Sequence, residues 1–111
     1  MGDPFQPVRE HCLSLDGVTE RLSHGSPTFF AKGTRGKSFC MCHDDHHGDG
    51  RLALWLAAAP GVQEALLGQD DEAYFKPPYV GTKGWIGVRL DRGLDLEVVR
   101  GLIEDAHDAV T

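Results

Sequence analysis

The densest concentration of reactive side chains is the stretch Asp44 to Arg51, "DDHHGDGR", which sets two histidines and three carboxylates within eight residues. A zinc or other transition-metal site needs three or four ligands converging from suitable directions. His46, His47 and Asp49, with His43 nearby, supply that number from one loop. Their spacing matches no established ligand pattern, so neither a metal nor another cofactor is expected. Asp and Gly in such a run also satisfy ordinary turn geometry, with Arg51 pairing a neighbouring carboxylate. A ligand-pocket role for the His46 and His47 pair and a purely structural turn both stay open.

A second stretch, Ala31 to Ser38, "AKGTRGKS", fits a relaxed phosphate-loop pattern ending in Gly-Lys-Ser. A phosphate loop must open a helix whose first amides and dipole hold the phosphate, whereas "FCMC" follows here and reads as a strand. Nucleotide hydrolysis is therefore not expected.

A third set follows from strand parity. If Ile86, Val88 and Leu90 face the helices, then Trp85, Gly87 and Arg89 face the other way, as do Arg51, Ala53 and Trp55 in the neighbouring strand. Two tryptophans and two arginines on one sheet face suit stacking on a base or another planar ligand. Packing of the same tryptophans under the "PPYVGTKG" loop, or in a dimer interface, is the competing reading.

These residues need elements to position them. Asp3-Pro4 opens a helix with Phe5, Val8, Cys12 and Leu15 on one face, ended at Asp16-Gly17. Thr28 to Lys32 and Lys37 to Cys42, joined by "GTRG", read as a hairpin. "RLALWLA" is apolar on both faces and reads as a central strand. Pro60 to Leu67 reads as a short helix. Ala73 to Lys76 and Trp85 to Leu90 form a second hairpin across a Pro77-Pro78 loop that forbids regular pairing. Asp95 caps a final helix, with a Leu94–Val99 staple and a stripe of Val99, Leu102, Ile103, Ala106 and Val110. The order α-β-β-β-α-β-β-α predicts an α+β domain with an antiparallel sheet and helices mainly on one face.

At 111 residues the chain has room for one domain, residues 1–111, large enough to bury a core without metal or disulfide staples. Cys12, Cys40 and Cys42 are odd in number and read as reduced structural thiols. The longest apolar run, Leu52 to Ala59, falls well short of the roughly 20 residues a membrane helix needs, and the N-terminus has no signal-peptide pattern. A cytoplasmic protein with no membrane partner is expected. The net charge of −6 argues against strong non-specific nucleic-acid binding. The charge is segregated, however: Arg21, Lys32, Arg35 and Lys37 lie in one segment free of acids, and Lys76, Lys83 and Arg89 in another.

The element order, with "CLSLDGVTERLSHGSPTFFAKG", "HHGDGRLALW" and "YFKPPYVGTKGWIGVRLD" in sequence, resembles the MmcQ/YjbR-like family of small bacterial proteins. That resemblance implies a fold likened to the double-wing DNA-binding domain of a phage transcription factor. Members are often called DNA-binding on this basis, and the family brings no accepted catalytic residues. Fold analogy alone does not establish function. Two readings follow. In one, the two basic hairpins hold duplex DNA weakly and in a salt-sensitive way through Lys32, Arg35, Lys37, Lys83 and Arg89. In the other, a non-enzymatic module binds a small molecule or a protein partner through His46, His47, Arg51, Trp55 and Trp85. No nucleophile–base pair or paired carboxylates mark an enzyme, and monomer and homodimer are equally compatible with the sequence.

Overall fold

In the computed structural model, which describes residues 3–33 and 36–111, three helices pack on one face of a six-stranded antiparallel sheet. The helices are α1 (Gln6–Ser14), α2 (Val62–Gln69) and α3 (Leu96–Val110). The strands are β1 (Thr19–Ser23), β2 (Ser26–Phe30), β3 (Ser38–Asp44), β4 (Leu52–Leu56), β5 (Tyr74–Phe75) and β6 (Ile86–Arg89). They lie side by side in the order β1-β2-β3-β4-β6-β5. This is the α+β architecture expected from the pattern, with one more strand.

That strand, β1, reads Thr-Glu-Arg-Leu-Ser and contains a single apolar residue, Leu22, which is exposed. An edge strand held by backbone pairing needs no apolar alternation, so periodicity cannot reveal it. Two other features hold it in place. Arg9 on α1 donates to Glu20 at 3.0 and 3.1 Å and to Asp3 at 2.6 Å, clamping the strand to the helix. The two-residue turn His24-Gly25 has φ of 52° and 82°, the mirror-image geometry that suits a twisted hairpin.

The main core lies between the sheet and the helices. Phe5, Val8 and Cys12 from α1 and Val99, Ile103 and Ala106 from α3 meet Phe29, Leu54, Leu56, Ile86 and Val88. Large side chains buried this fully contribute about 1.5–3 kcal/mol each in apolar transfer. Phe39 joins them through a β-bulge: Phe29 pairs with Cys40 and Phe30 with Ser38, which leaves Phe39 as the extra residue. Its ring meets His107 of α3 edge-on, with centroids 5.2 Å apart. Asp95 occupies the N-cap of α3 with extended backbone, but its side chain makes no capping bond. Leu94 packs against the core to which Val99 belongs.

Cys12, Cys40 and Cys42 are all buried free thiols. Hydrogen bonding with Cys12 and Cys42, reinforced by burial, pushes the Cys40 thiol well above its ordinary pKa. "GKS" leads into strand β3, where a phosphate loop would open a helix. No helix among the described residues is long and apolar enough to cross a membrane.

A second, smaller core covers the opposite face, where Ala53, Trp55 and Phe75 pack with Met41, Val80 and Trp85. Gly87 makes it possible: the Phe75 ring sits so close that a Cβ on Gly87 would lie 2.4–2.6 Å from three ring carbons. The ring is backed by the Arg51 guanidinium, 4.1 Å from its centroid. Gly87→Ala should therefore destabilise the protein by about 1–3 kcal/mol through overpacking. Adding Phe75→Leu should return part of that loss, as measured by denaturant unfolding. An unaltered midpoint in the single variant would show that the ring shifts freely.

Candidate functional site

A cavity of about 510 Å³ opens on the face away from the helices. Its floor is Met41 and His43 of β3 and Trp55 of β4. Parity places them there: Met41 pairs with Trp55 and His43 with Ala53, while Cys40 and Cys42, pointing the other way, pair with Leu56 and Leu54. The walls are Ser23 and His24 from the β1–β2 turn and His46 and His47 from the β3–β4 loop. Tyr79 and Val80 from the β5–β6 loop complete them. Gln63 of α2 fixes that last loop, its Nε2 donating to the carbonyls of Gly81 at 2.9 Å and Trp85 at 2.6 Å.

The backbone is strained where it meets the cavity. Among the described residues, the non-glycine residues with positive φ are His24, Asp45, His47 and Tyr79. Three of them line the cavity and the fourth, Asp45, begins the loop that carries His46 and His47. The hairpin turn accounts for His24, but Tyr79 is more demanding. At φ 64° and ψ −73°, with Val80 N–H donating to Pro78 O at 2.7 Å, it forms the rare, strained kind of γ-turn. Such conformations cost on the order of 1–3 kcal/mol each and persist where the surroundings over-determine them.

The "DDHHGDGR" stretch divides its labour. Asp45 Oδ1 accepts from Gly50 N–H at 2.7 Å and Asp49 Oδ1 from Arg51 N–H at 2.9 Å, so these carboxylates close the turn. The histidines face the cavity. His46 and His47 stack almost in parallel, with centroids 4.1 Å apart, and His46 also meets Trp55 at 4.7 Å and Tyr79 at 6.4 Å. His43 lies beneath, 3.8 Å from Trp55 and 4.8 Å from His46. No group of three or more His, Cys, Asp or Glu side chains converges as metal ligands among the described residues.

His43 Nδ1 shares a 3.1 Å hydrogen bond with Ser26 Oγ. Its Nε2 is buried without a hydrogen-bond partner in the protein, as is Trp55 Nε1. Burial depresses the His43 pKa to about 4, helped by repulsion from His46 and His47 and opposed by Asp49. The ring is therefore neutral at physiological pH.

Of the residues singled out in the sequence as ligand contacts, His46, His47 and Trp55 come together at the cavity. Arg51 lies over Phe75 and 4.0 Å from Asp49, and Trp85 is half-buried against both cores. Among the candidate phosphate contacts, Lys32 pairs with Asp16 at 3.2 Å and Arg89 with Asp91 at 3.0 Å. Lys37 and Lys83 are exposed, and Arg35 lies outside the described residues. The two basic loops leave the same end of the sheet, since β3 and β6 both begin beside Leu56 at the end of β4. β4 nevertheless separates their strand pairs. Ser23, His24, Met41, Tyr79 and Val80 were not singled out, because nothing local to them signals a shared cavity.

Two outcomes follow. Between the ordinary histidine pKa of 6.5 and about 4, the unfolded chain takes up a proton that folded His43 refuses. Stability should therefore fall as pH drops through this window and be insensitive to His43 above it. Denaturation midpoints should show a weaker pH dependence for His43→Gln, and an identical dependence in both proteins would refute the assignment. Tyr79→Gly should relieve the left-handed strain and raise stability by about 1–2 kcal/mol, because the lost side chain is 72% exposed. A fall in melting temperature would show that the ring contributes more than the turn costs.

The architecture is also found in the crystal structure of Deinococcus radiodurans protein DR2400, which carries the DUF419 domain. The two share 20% identity and a TM-score of 0.75 over 96% of this chain and 80% of that one. At that identity the likeness is one of fold. No curated protein matches the chain. The YjbR family model matches residues 13–109, a span that includes the whole sheet and every lining residue of the cavity, and the chain belongs to the YjbR family.

Proposed function

We propose that this YjbR domain is a non-enzymatic binding module that holds a small planar molecule in the cavity over Met41, His43 and Trp55. The observation that carries this reading is the pair of buried, unpartnered nitrogens, His43 Nε2 and Trp55 Nε1, on side chains of the cavity floor. A buried donor left unpaired costs about 1–3 kcal/mol, so such groups are rare except where a ligand or water meets them. The cavity size falls in the range of small-molecule sites, and its floor and walls are mainly aromatic. Strained backbone concentrated at the same place fits a site kept for binding and not for stability. Ser26 Oγ, the hydroxyl bonded to His43 Nδ1, is not among the groups lining the cavity, so chemistry on the ligand is not part of this reading.

The competing reading, weak binding of duplex DNA, draws on Lys37 and Lys83, exposed on loops at one end of the sheet. Of the other candidates named from the sequence, Lys32 and Arg89 already face carboxylates.

A thermal-shift screen of planar heteroaromatic compounds beside duplex DNA separates the two. A compound that stabilises the wild type should bind Trp55→Phe about tenfold more weakly, since that change removes the Nε1–H donor and part of the stacking surface while keeping an aromatic side chain. Stabilisation indifferent to Trp55→Phe would place the ligand elsewhere. DNA binding at roughly 20 mM salt, with a log–log salt slope reduced by about 0.9 for each of Lys37→Ala and Lys83→Ala, would favour the second reading.

A further inference from the structure

Resting on the cavity-binding reading above, we propose that the ligand is an organic anion, a planar ring bearing a carboxylate, and that it enters together with a proton taken up by the His46–His47 pair. The cavity is lined by His24, His43, His46 and His47, four of the six histidines in the chain, and by no Asp, Glu, Lys or Arg. The imidazole is the side chain that ordinarily changes charge near neutral pH, although His43, buried in the floor, stays neutral there.

The neighbouring fixed charges lie outside the cavity lining. Asp45 and Asp49 accept from amides of their own loop, and Arg51 lies on the Phe75 ring. A cationic ligand would meet no carboxylate in the wall and would oppose any imidazolium. An anion meets the reverse. Trp55 Nε1–H is a donor with no acceptor, and acceptor oxygens are what a carboxylate offers.

Proton coupling follows from the stacked pair. Parallel rings 4.1 Å apart cannot both carry charge without strong repulsion, and their other neighbours are neutral His43 and Trp55 below, Tyr79 from the β5–β6 loop, and Asp45 and Asp49 in their own loop. His24, on the β1–β2 turn, is the remaining lining group able to charge. A carboxylate beside His46 and His47 favours the imidazolium form of one of them, so binding and protonation reinforce each other. The proton comes from solvent and no bond in the ligand changes.

The test compares 2-naphthoate with its neutral isostere 2-naphthamide by isothermal titration calorimetry, in buffers of different ionisation enthalpy. The carboxylate should bind on the order of tenfold more tightly at about pH 6 than at about pH 8, with net proton uptake at binding. His47→Gln, an exposed position whose change leaves the cores intact, should remove most of both effects. If 2-naphthamide binds as tightly as the acid, at every pH and in a Trp55-dependent way, the anion inference is overturned while the cavity reading stands. If neither compound binds, both fall. Tight, pH-dependent binding of the acid that His47→Gln and the double variant His46→Gln, His47→Gln leave unchanged overturns the assignment of the proton to this pair.

Discussion

Strand β4 has no face to spare. Leu54 and Leu56 are fully buried against the helices while Ala53 and Trp55, pointing the other way, are almost as inaccessible. Because side chains alternate along a strand, a central strand buried on both sides demands cover on both sides. The helices supply one cover. With the three helices of the described residues all on that face, the other cover comes from loops. The β5–β6 segment, turned across the sheet by Pro77 and Pro78 and stapled by Gln63, closes half of the second face over Phe75 and Gly87. The β1–β2 turn and the β3–β4 loop border the remainder, and the cavity lies where these three irregular segments fail to meet.

That origin explains why the polar and strained features collect in one place. A loop laid over a sheet must satisfy its own backbone, and here it does so with Asp45, Asp49 and a γ-turn at Tyr79. Side chains projecting from such loops pack on one side only, so His46 is half-buried and His47 and Tyr79 are exposed beside the aromatic floor. His43 and Trp55 stay buried with a nitrogen each unpaired, an arrangement that a core evolved for stability alone would replace with apolar groups. The cavity therefore has a floor of buried and half-buried strand residues and walls of half-buried and exposed residues, mostly from loops.

The charge distribution divides along the same line. Arg9 clamps α1 to the edge strand, Lys32 and Arg89 pair with neighbouring carboxylates, and Arg51 serves the aromatic cluster. Of the basic residues in the two acid-free segments of the linear chain, Lys32 and Arg89 are thus paired with carboxylates brought close by the fold. A wing-like contact to phosphate would rest on Lys37 and Lys83 among the described residues, at loops whose strand pairs have β4 between them.

The sequence alone determined the class of fold, the antiparallel sheet, the three helices and the two-faced burial of β4, because each rests on a periodicity that packing enforces locally. It also placed His46, His47 and Trp55 among the candidates, since histidines in a turn and an outward tryptophan are visible from spacing. It did not reveal β1, whose pairing through backbone groups leaves no apolar signature, nor the bulge that turns Phe39 into the core. Only the tertiary structure decided which aromatic and basic residues meet. Arg51 and Trp85 share the right face yet are drawn to Phe75 and the loop above it, while His24 and Tyr79, distant in sequence, converge on the cavity. Parity sets the face a residue points to. Where along that face the covering loops come down depends on long-range contacts such as Gln63 to Trp85, which no local pattern encodes.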